Sequence, residues 1–305
     1  MTTERLARGA AALAGIQVGA CIAGSRWLVA DIGPLSLTFL RYAVALATLA
    51  PLLAMVGGTR HALARLTAGD AIRVALLGIV QFGVLIALLN FGLKHVDAGL
   101  GALLFATFPL MTLVIATAAG HERFDAPLAV GVLLSIAGVG LALGVHPPAM
   151  TGAGFMLGAA CVLVAALCGA VCSVLYRPLL HRHATLPLGT LAMAAAVLAL
   201  APAAAAEGLF VQARALSFAP WAVVVAIGLS SGLGYWMWLW VLKHTAPTKA
   251  TTFLALSPVT AALIGRFALG EPISAGLVVG VVCILLGLLL AASRSVSVAS
   301  APHSP

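Results

Sequence analysis

Two arginines stand inside otherwise apolar stretches of this chain, Arg41 within 35–56 and Arg266 near the end of 247–268. A cation in hydrocarbon is costly and marks a functional site by default. Arg41 can hold a carboxylate or other anionic group, or it can reach the water interface along its own apolar stem. Arg266 lies two residues from the end of its stretch, where the interface reading is favoured. Gln17, Gln81 and Asn90 are uncharged polar residues in similar stretches, able to bond a ligand or merely a neighbouring helix. Gln17, near the middle of its stretch, is the best ligand contact of the three. The densest aromatic segment is Tyr235-Trp236-Met237-Trp238-Leu239-Trp240. Trp238 and Trp240 suit an interfacial belt, whereas Tyr235 and Trp236 lie deeper and can stack on an apolar or aromatic solute.

Missing chemistry is as informative. No Asp or Glu falls inside any long apolar stretch, so no buried carboxylate is offered there as a proton relay. Glu122 and Glu271 fall at stretch ends and read as helix-end anchors. Zinc-ligand spacing, a Walker loop, a GxSxG elbow and paired carboxylates are absent from the sequence. Neither an enzyme nor an ATP-driven pump fits such a chain, and no metal or cofactor is expected. Cys161, Cys168 and Cys172 share one helix face and, with Cys21 and Cys283, read as small packing residues.

The elements that must carry these residues follow from composition. Of 305 residues, 63% are hydrophobic and only 8% charged, more apolar matter than a soluble surface can conceal. It is gathered into ten runs: 10–30, 35–56, 71–93, 98–119, 127–145, 153–176, 186–206, 219–241, 247–268 and 274–292. Runs of about 20 residues cross the hydrocarbon core as helix, and being continuous rather than alternating they are not barrel strands. The net charge of +8 does not imply nucleic acid, because the basic residues sit in loops. With the N-terminus cytoplasmic, eleven of them fall inside and only Arg26, Lys94 and Arg214 outside. Both termini are thereby predicted to be cytoplasmic. Arg5, Arg8 and the stretch ending Val18-Gly19-Ala20-Cys21 imitate a lipoprotein signal, a reading set aside because cleavage would unpair the halves described next.

Leu93-Lys94-His95 returns as Leu242-Lys243-His244, and the same offset of 149 carries Pro109 onto Pro258, Glu122 onto Glu271, Gly131 onto Gly280 and Gly138 onto Gly287. Over 49 ungapped positions, 15 are identical, which makes the chain a duplication, 1–147 and 148–305. Five spans per half is an odd number, so the second copy enters the membrane upside down. Inverted repeats make inward-open and outward-open states near-equivalent packings of like parts, the logic of a secondary transporter. Pro109 and Pro258, deep in equivalent spans, deprive the carbonyls of Phe105 and Leu254 of their helical donors and read as hinges. Thr107 and Thr112 flank the first and Ser257 and Thr260 the second; Ser257 is a candidate ligand contact. Gly131, Ser135, Gly138, Gly280 and Gly287 suit close helix approach and read as scaffold or a dimer seam.

These residues resemble the EamA-type family of the drug/metabolite transporter superfamily. The resemblance rests on Gly19 followed by Pro34, on Arg41-Tyr42, and on the two blocks Leu93-Lys94…Pro109…Glu122…Gly138 and Leu242-Lys243…Pro258…Glu271…Gly287. It covers essentially the whole chain as two copies. It implies ten helices, a bacterial inner-membrane location and a central cavity lined by the first four helices of each half, with the fifth peripheral. It also implies export of amino acids, nucleobase-like compounds or other small metabolites. Val18 stands where the family often has Trp, Cys21 where a polar residue is common and Gly169 where a Trp is frequent, departures that bear on the substrate. The expectation is therefore an all-α polytopic carrier, monomeric or homodimeric, exporting a small organic metabolite by alternating access. A broad-specificity efflux carrier and a passive channel are the alternatives.

Overall fold

A computed structural model of the chain describes residues 3–55, 66–119, 126–144, 152–244 and 253–298. Among the described residues there is no strand, as expected of Leu- and Ala-rich segments whose backbone must satisfy itself in lipid. The main helices are α1 Thr3–Leu28, α2 Pro34–Met55, α3 Ala68–Gly92, α4 Ala98–Ala118 and α5 Ala126–Gly144 in the first half. In the second half they are α6 Ala153–Arg182, α7 Thr185–Glu207, α8 Phe218–His244, α9 Leu256–Ala268 and α10 Ala275–Val298. A two-turn helix, Leu209–Ala215, joins α7 to α8, and a 3-10 turn, Phe253–Ala255, leads into α9.

Every apolar run of the sequence thus coincides with a helix. Six of them, α2, α3, α4, α6, α7 and α8, are long and apolar enough to cross a membrane, and α5, α9 and α10 contain shorter apolar helices. The run 247–268 is described only from its seventh residue, 253, and is helical from there, since 247–252 lie outside the described residues. So do Glu122, Arg60, Arg65, Arg123 and Lys249.

Two helices are locally interrupted. In α3 the segment Ile79–Val84 is a π-helix, an irregularity that the apolar periodicity conceals. In α4 the helix stops at Phe105, turns at Ala106 and Thr107 and resumes at Phe108, with Pro109 in the first turn of the new segment. There the missing N–H costs nothing. The 3-10 turn Phe253–Ala255 holds the position equivalent to 104–106, so each proline closely follows a departure from α-helical geometry at nearly the same place in its repeat.

Packing between the halves obeys one exchange rule. α2 packs on α8 as α3 packs on α7; α1 packs on α9 as α4 packs on α6; α1 packs on α8 as α3 packs on α6. The remaining major contacts, α2 with α7, α4 with α9 and α5 with α10, are their own images. A pseudo-two-fold axis relates the halves. On α5 and α10 the register is explicit: a side chain at Gly138 would come 3.0 Å from the Gly280 carbonyl, and one at Gly287 would come 2.6 Å from that of Gly131. Early residues of one helix face late residues of the other, so these equivalent helices run antiparallel. Besides each other, α5 and α10 touch mainly α4, which leaves them at the periphery.

Candidate functional site

Ser230, Ser231, Gly234 and Tyr235 occupy little more than one turn near the middle of α8, and that turn meets three helices of the first half. Gln17 of α1 donates from Nε2 to the Ser230 carbonyl at 2.8 Å and packs on Gly234. Cys21, one turn further, places Sγ 3.7 Å from Ser230 Oγ. Arg41 of α2 donates from Nε to Ser231 Oγ at 2.7 Å, and that hydroxyl donates onward to the Ile227 carbonyl at 2.6 Å. Tyr235 meets Phe82 of α3 edge-on at 5.3 Å, and Phe82 meets Tyr42 of α2 at 5.1 Å. Gly189 of α7 leaves the room that the Tyr235 ring occupies.

Arg41 is 8% exposed, and among the described residues no carboxylate pairs with it. Facing it are the Ser231 hydroxyl and the Tyr42 ring, whose centroid is 5.8 Å from Cζ. Burying a guanidinium without a counter-charge costs several kcal/mol, so the arrangement favours any anionic group that can reach it. On the helices that carry or adjoin these rings, two buried polar atoms lack a hydrogen-bond partner: Gln81 Oε1 and the Tyr176 hydroxyl. Gln81 precedes Phe82 on the π-helical segment, and Tyr176 of α6 lies within electrostatic reach of Tyr235. Each such orphan costs about 1–3 kcal/mol while it stays dry. A cation, two orphaned polar groups and three rings can orient a solute with an anionic end and an apolar body.

Other sequence candidates lie elsewhere. Asn90 is wholly buried and its Nδ2 donates to Thr38 Oγ1 at 3.0 Å, a tie between α3 and α2 that leaves its Oδ1 without a hydrogen-bond partner. Ser257 is buried where its backbone carbonyl crowds Gly19. Gly19 and Gln17 lie about 200° apart around α1, so Ser257 is on the far side of that helix from the Ser231 turn. Trp236 is 50% exposed and continues a stripe of exposed Phe218, Val225, Leu229 and Leu233 along α8. That stripe faces outward, and the rings that gather beside Tyr235 are those of Phe82 and, beyond it, Tyr42. Pro109 and Pro258 are both buried at the helix breaks. Arg266 is exposed at the end of α9.

Three polar assemblies at helix ends also escaped the sequence reading, at least in part. Glu207, at the end of α7, receives the N–H groups of Ser36 at 2.7 Å and Leu35 at 3.2 Å, while Gln212 Oε1 receives Gly33 N–H at 2.7 Å. These satisfy the N-terminus of α2, and the helix start at Pro34 was the available signal that an acceptor is needed there. Asp70, in the first turn of α3, lies 3.1 Å from His183 Nε2 at the end of α6. Glu271 accepts the Ala98 N–H at 2.8 Å, so the helix-end anchor expected of it belongs to α4 of the other half.

The sequence profile of the EamA-like transporter family matches twice, over residues 7–144 and 156–293. The chain belongs to this family. The second match starts 149 residues after the first, at 156 against 7, the same offset as the internal echo. EamA relatives agree at transporter level: the uncharacterized transporter YyaM of Bacillus subtilis (strain 168) is 25% identical over 283 residues, 90% of each chain. An uncharacterized transporter of Clostridium kluyveri is 24% identical over 232 residues, 74% of this chain and 73% of that one. A solved structure, described as the crystal structure of a protein, superposes with a TM-score of 0.64 at 20% identity and covers 95% of this EamA chain and 98% of its own, a likeness of fold. The chain is thus a multi-pass EamA transporter built from two repeats.

Proposed function

We propose that this EamA protein is a secondary carrier that exports a small organic metabolite across a bacterial inner membrane by alternating access. Ten helices span the bilayer, the halves are inverted and both termini are cytoplasmic. One observation carries the reading: every major contact between the halves has an exchanged partner or is its own image. Two such halves can trade roles, so a state open at one end has a near-equivalent state open at the other.

The solute sits where the halves meet at the middle of α8. Arg41 holds its anionic end and Gln17 orients it. Tyr235, with Tyr42 and Phe82, packs its apolar part, while Gln81 supplies a further acceptor. Pro109 and Pro258 bend α4 and α9 between states.

Substrates are found by untargeted metabolite profiling of overexpressing cells and then tested in proteoliposomes. Saturable uptake stimulated by the same solute on the far side is expected; linear, unstimulated flux would mean a channel. Arg41→Gln removes a charge-assisted bond of about 1.5–3 kcal/mol, so apparent affinity for an anionic substrate should fall by at least about tenfold. Unchanged kinetics with normally inserted protein remove Arg41 from the site.

A further inference from the structure

The sequence shows no acid within the apolar runs, yet acids just beyond them are largely enclosed: Asp70, paired with His183, and Glu271. Glu271 follows α9, and its side chain is only 10% exposed. Its carboxylate fills the junction of α1, α4 and the α9–α10 turn. Oε2 takes the Ala98 N–H at the start of α4 at 2.8 Å. The residue's own N–H returns to the Gly265 carbonyl at 3.0 Å. Oε2 occupies the space that Gly265 leaves, 2.6 Å from where a Cβ would stand. The adjoining cavity, between Asp97, Glu271 and Ser274, measures about 10 Å³, room for a single water.

The charges around Glu271 do not balance its burial. From α1, Arg26 Nε lies 3.0 Å from Oε1. The two are so poorly aligned that neither atom has a hydrogen bond. Asp97, just ahead of α4, opposes the charge. The Ser274 hydroxyl accepts from Leu277 N–H, and its own proton remains to be donated. Arg266, one turn before the α9–α10 junction, is exposed. Among the described residues Oε1 therefore has a misaligned cation, a nearby carboxylate and no hydrogen bond from the protein. A carboxylate so placed is better accommodated as the neutral acid.

We propose that Glu271 is a proton-binding site that couples closure of the outer end of the carrier to uptake of one proton. When α1, α4 and the α9–α10 turn draw together, the carboxylate leaves water and takes a proton on Oε1. When they part, it is solvated and releases the proton. Burial holds the Glu271 carboxyl above the usual glutamic range, with Asp97 adding to the rise and the Ala98 N–H and Arg26 opposing it. The closed state thus binds the proton more tightly than an open, solvated one. Acid therefore favours closure, and that preference is lost as pH rises through the closed-state value. Assigning this end to the outside rests on the inverted ten-span topology proposed above.

The test uses the full chain in right-side-out and inverted vesicles, with Cys161, Cys168, Cys172 and Cys283 replaced by Ala. A membrane-impermeant methanethiosulfonate reads access to Cys21, and in a second protein to Ser25→Cys, a turn nearer the outer end. Rates are divided by those of the denatured protein at the same pH. Infrared difference spectra between parent and Glu271→Gln read the carbonyl band of a protonated carboxyl. The normalised rate should fall as outer pH falls, by up to about tenfold per pH unit in the titrating window. Glu271→Gln should react slowly at every pH and lack the carboxyl band. Arg26→Gln should move the transition to higher pH.

A Glu271→Gln protein that keeps the parent's pH response, or that opens at every pH, overturns the proposal. So does absence of the band in a parent whose labelling is flat. A parent that responds instead to pH on the other face refutes the topology and leaves the proton site standing.

Discussion

Gly138 and Gly140 lie two residues apart on α5 and test what the α5–α10 seam requires. A methyl group on Gly138 would come 2.8 Å from Cys283 Cβ and 3.0 Å from the Gly280 carbonyl, whereas one on Gly140 would meet nothing within 4 Å. Gly138→Ala should therefore cost about 1–3 kcal/mol through overpacking. Gly140→Ala should be neutral or stabilise by roughly 0.5–1 kcal/mol, since a mid-helix glycine loses backbone entropy that alanine does not. Melting temperatures in detergent check the pair, and equal shifts would mean that the seam is not packed as described. The same separation of type from neighbourhood governs the candidate site. Arg41, Gln17 and Tyr235 could be singled out from residue type because charge and aromaticity are scarce in these runs. Asn90 and Trp236 were equally conspicuous, but one is engaged by Thr38 and the other lies on an exposed stripe. Phe82 stood unnoticed, and Tyr42 was marked only by its place beside Arg41 in a family motif, because an aromatic residue in an apolar run looks like packing until its partners are known.

At the scale of the element, the interruptions in α3, in α4 and ahead of α9 carry the functional argument. The proline breaks were legible, since a proline inside an apolar run must leave a carbonyl without its donor. The π-helical segment Ile79–Val84 was not, because it changes no residue type and merely adds one residue to a turn. It is nevertheless the segment that holds Gln81 and sets Phe82 between Tyr42 and Tyr235. Pro109 sits in the first turn of its segment, where it costs little, so Pro109→Ala should change stability by less than about 1 kcal/mol. It restores an N–H that can reach the Phe105 carbonyl and make α4 continuous, which should slow turnover while leaving substrate affinity near that of the parent. Pro258→Ala should do the same in the other half. Transport and melting measured on the same preparations decide it, and unaltered turnover in both variants would remove the hinge.

For the whole molecule, alternating access requires that some interfaces move and others hold. The antiparallel pair α5 and α10 lies outside the site and contacts mainly α4, so it should move as one piece. The contact of α1 with the central turn of α8, through Gln17 and Gly234, should not. In a cysteine-free background, a disulfide between Gln17→Cys and Gly234→Cys should stop exchange until reduced. Free exchange with that bond formed would refute this division of labour. The sequence by itself determined that the chain crosses a membrane, where its helices lie, that it is duplicated and where it bends. Those properties follow from local quantities: run length, proline chemistry and a fixed offset between like residues. Only the tertiary structure decided which polar side chains are already engaged, which rings gather around the turn of α8 that holds Ser231, and that Glu271 is buried against the opposite half. The reason is that partnership and desolvation belong to pairs of residues far apart in the chain, as Arg41 is from Ser231 and Ala98 from Glu271. Nothing in the spacing of either member alone records the meeting.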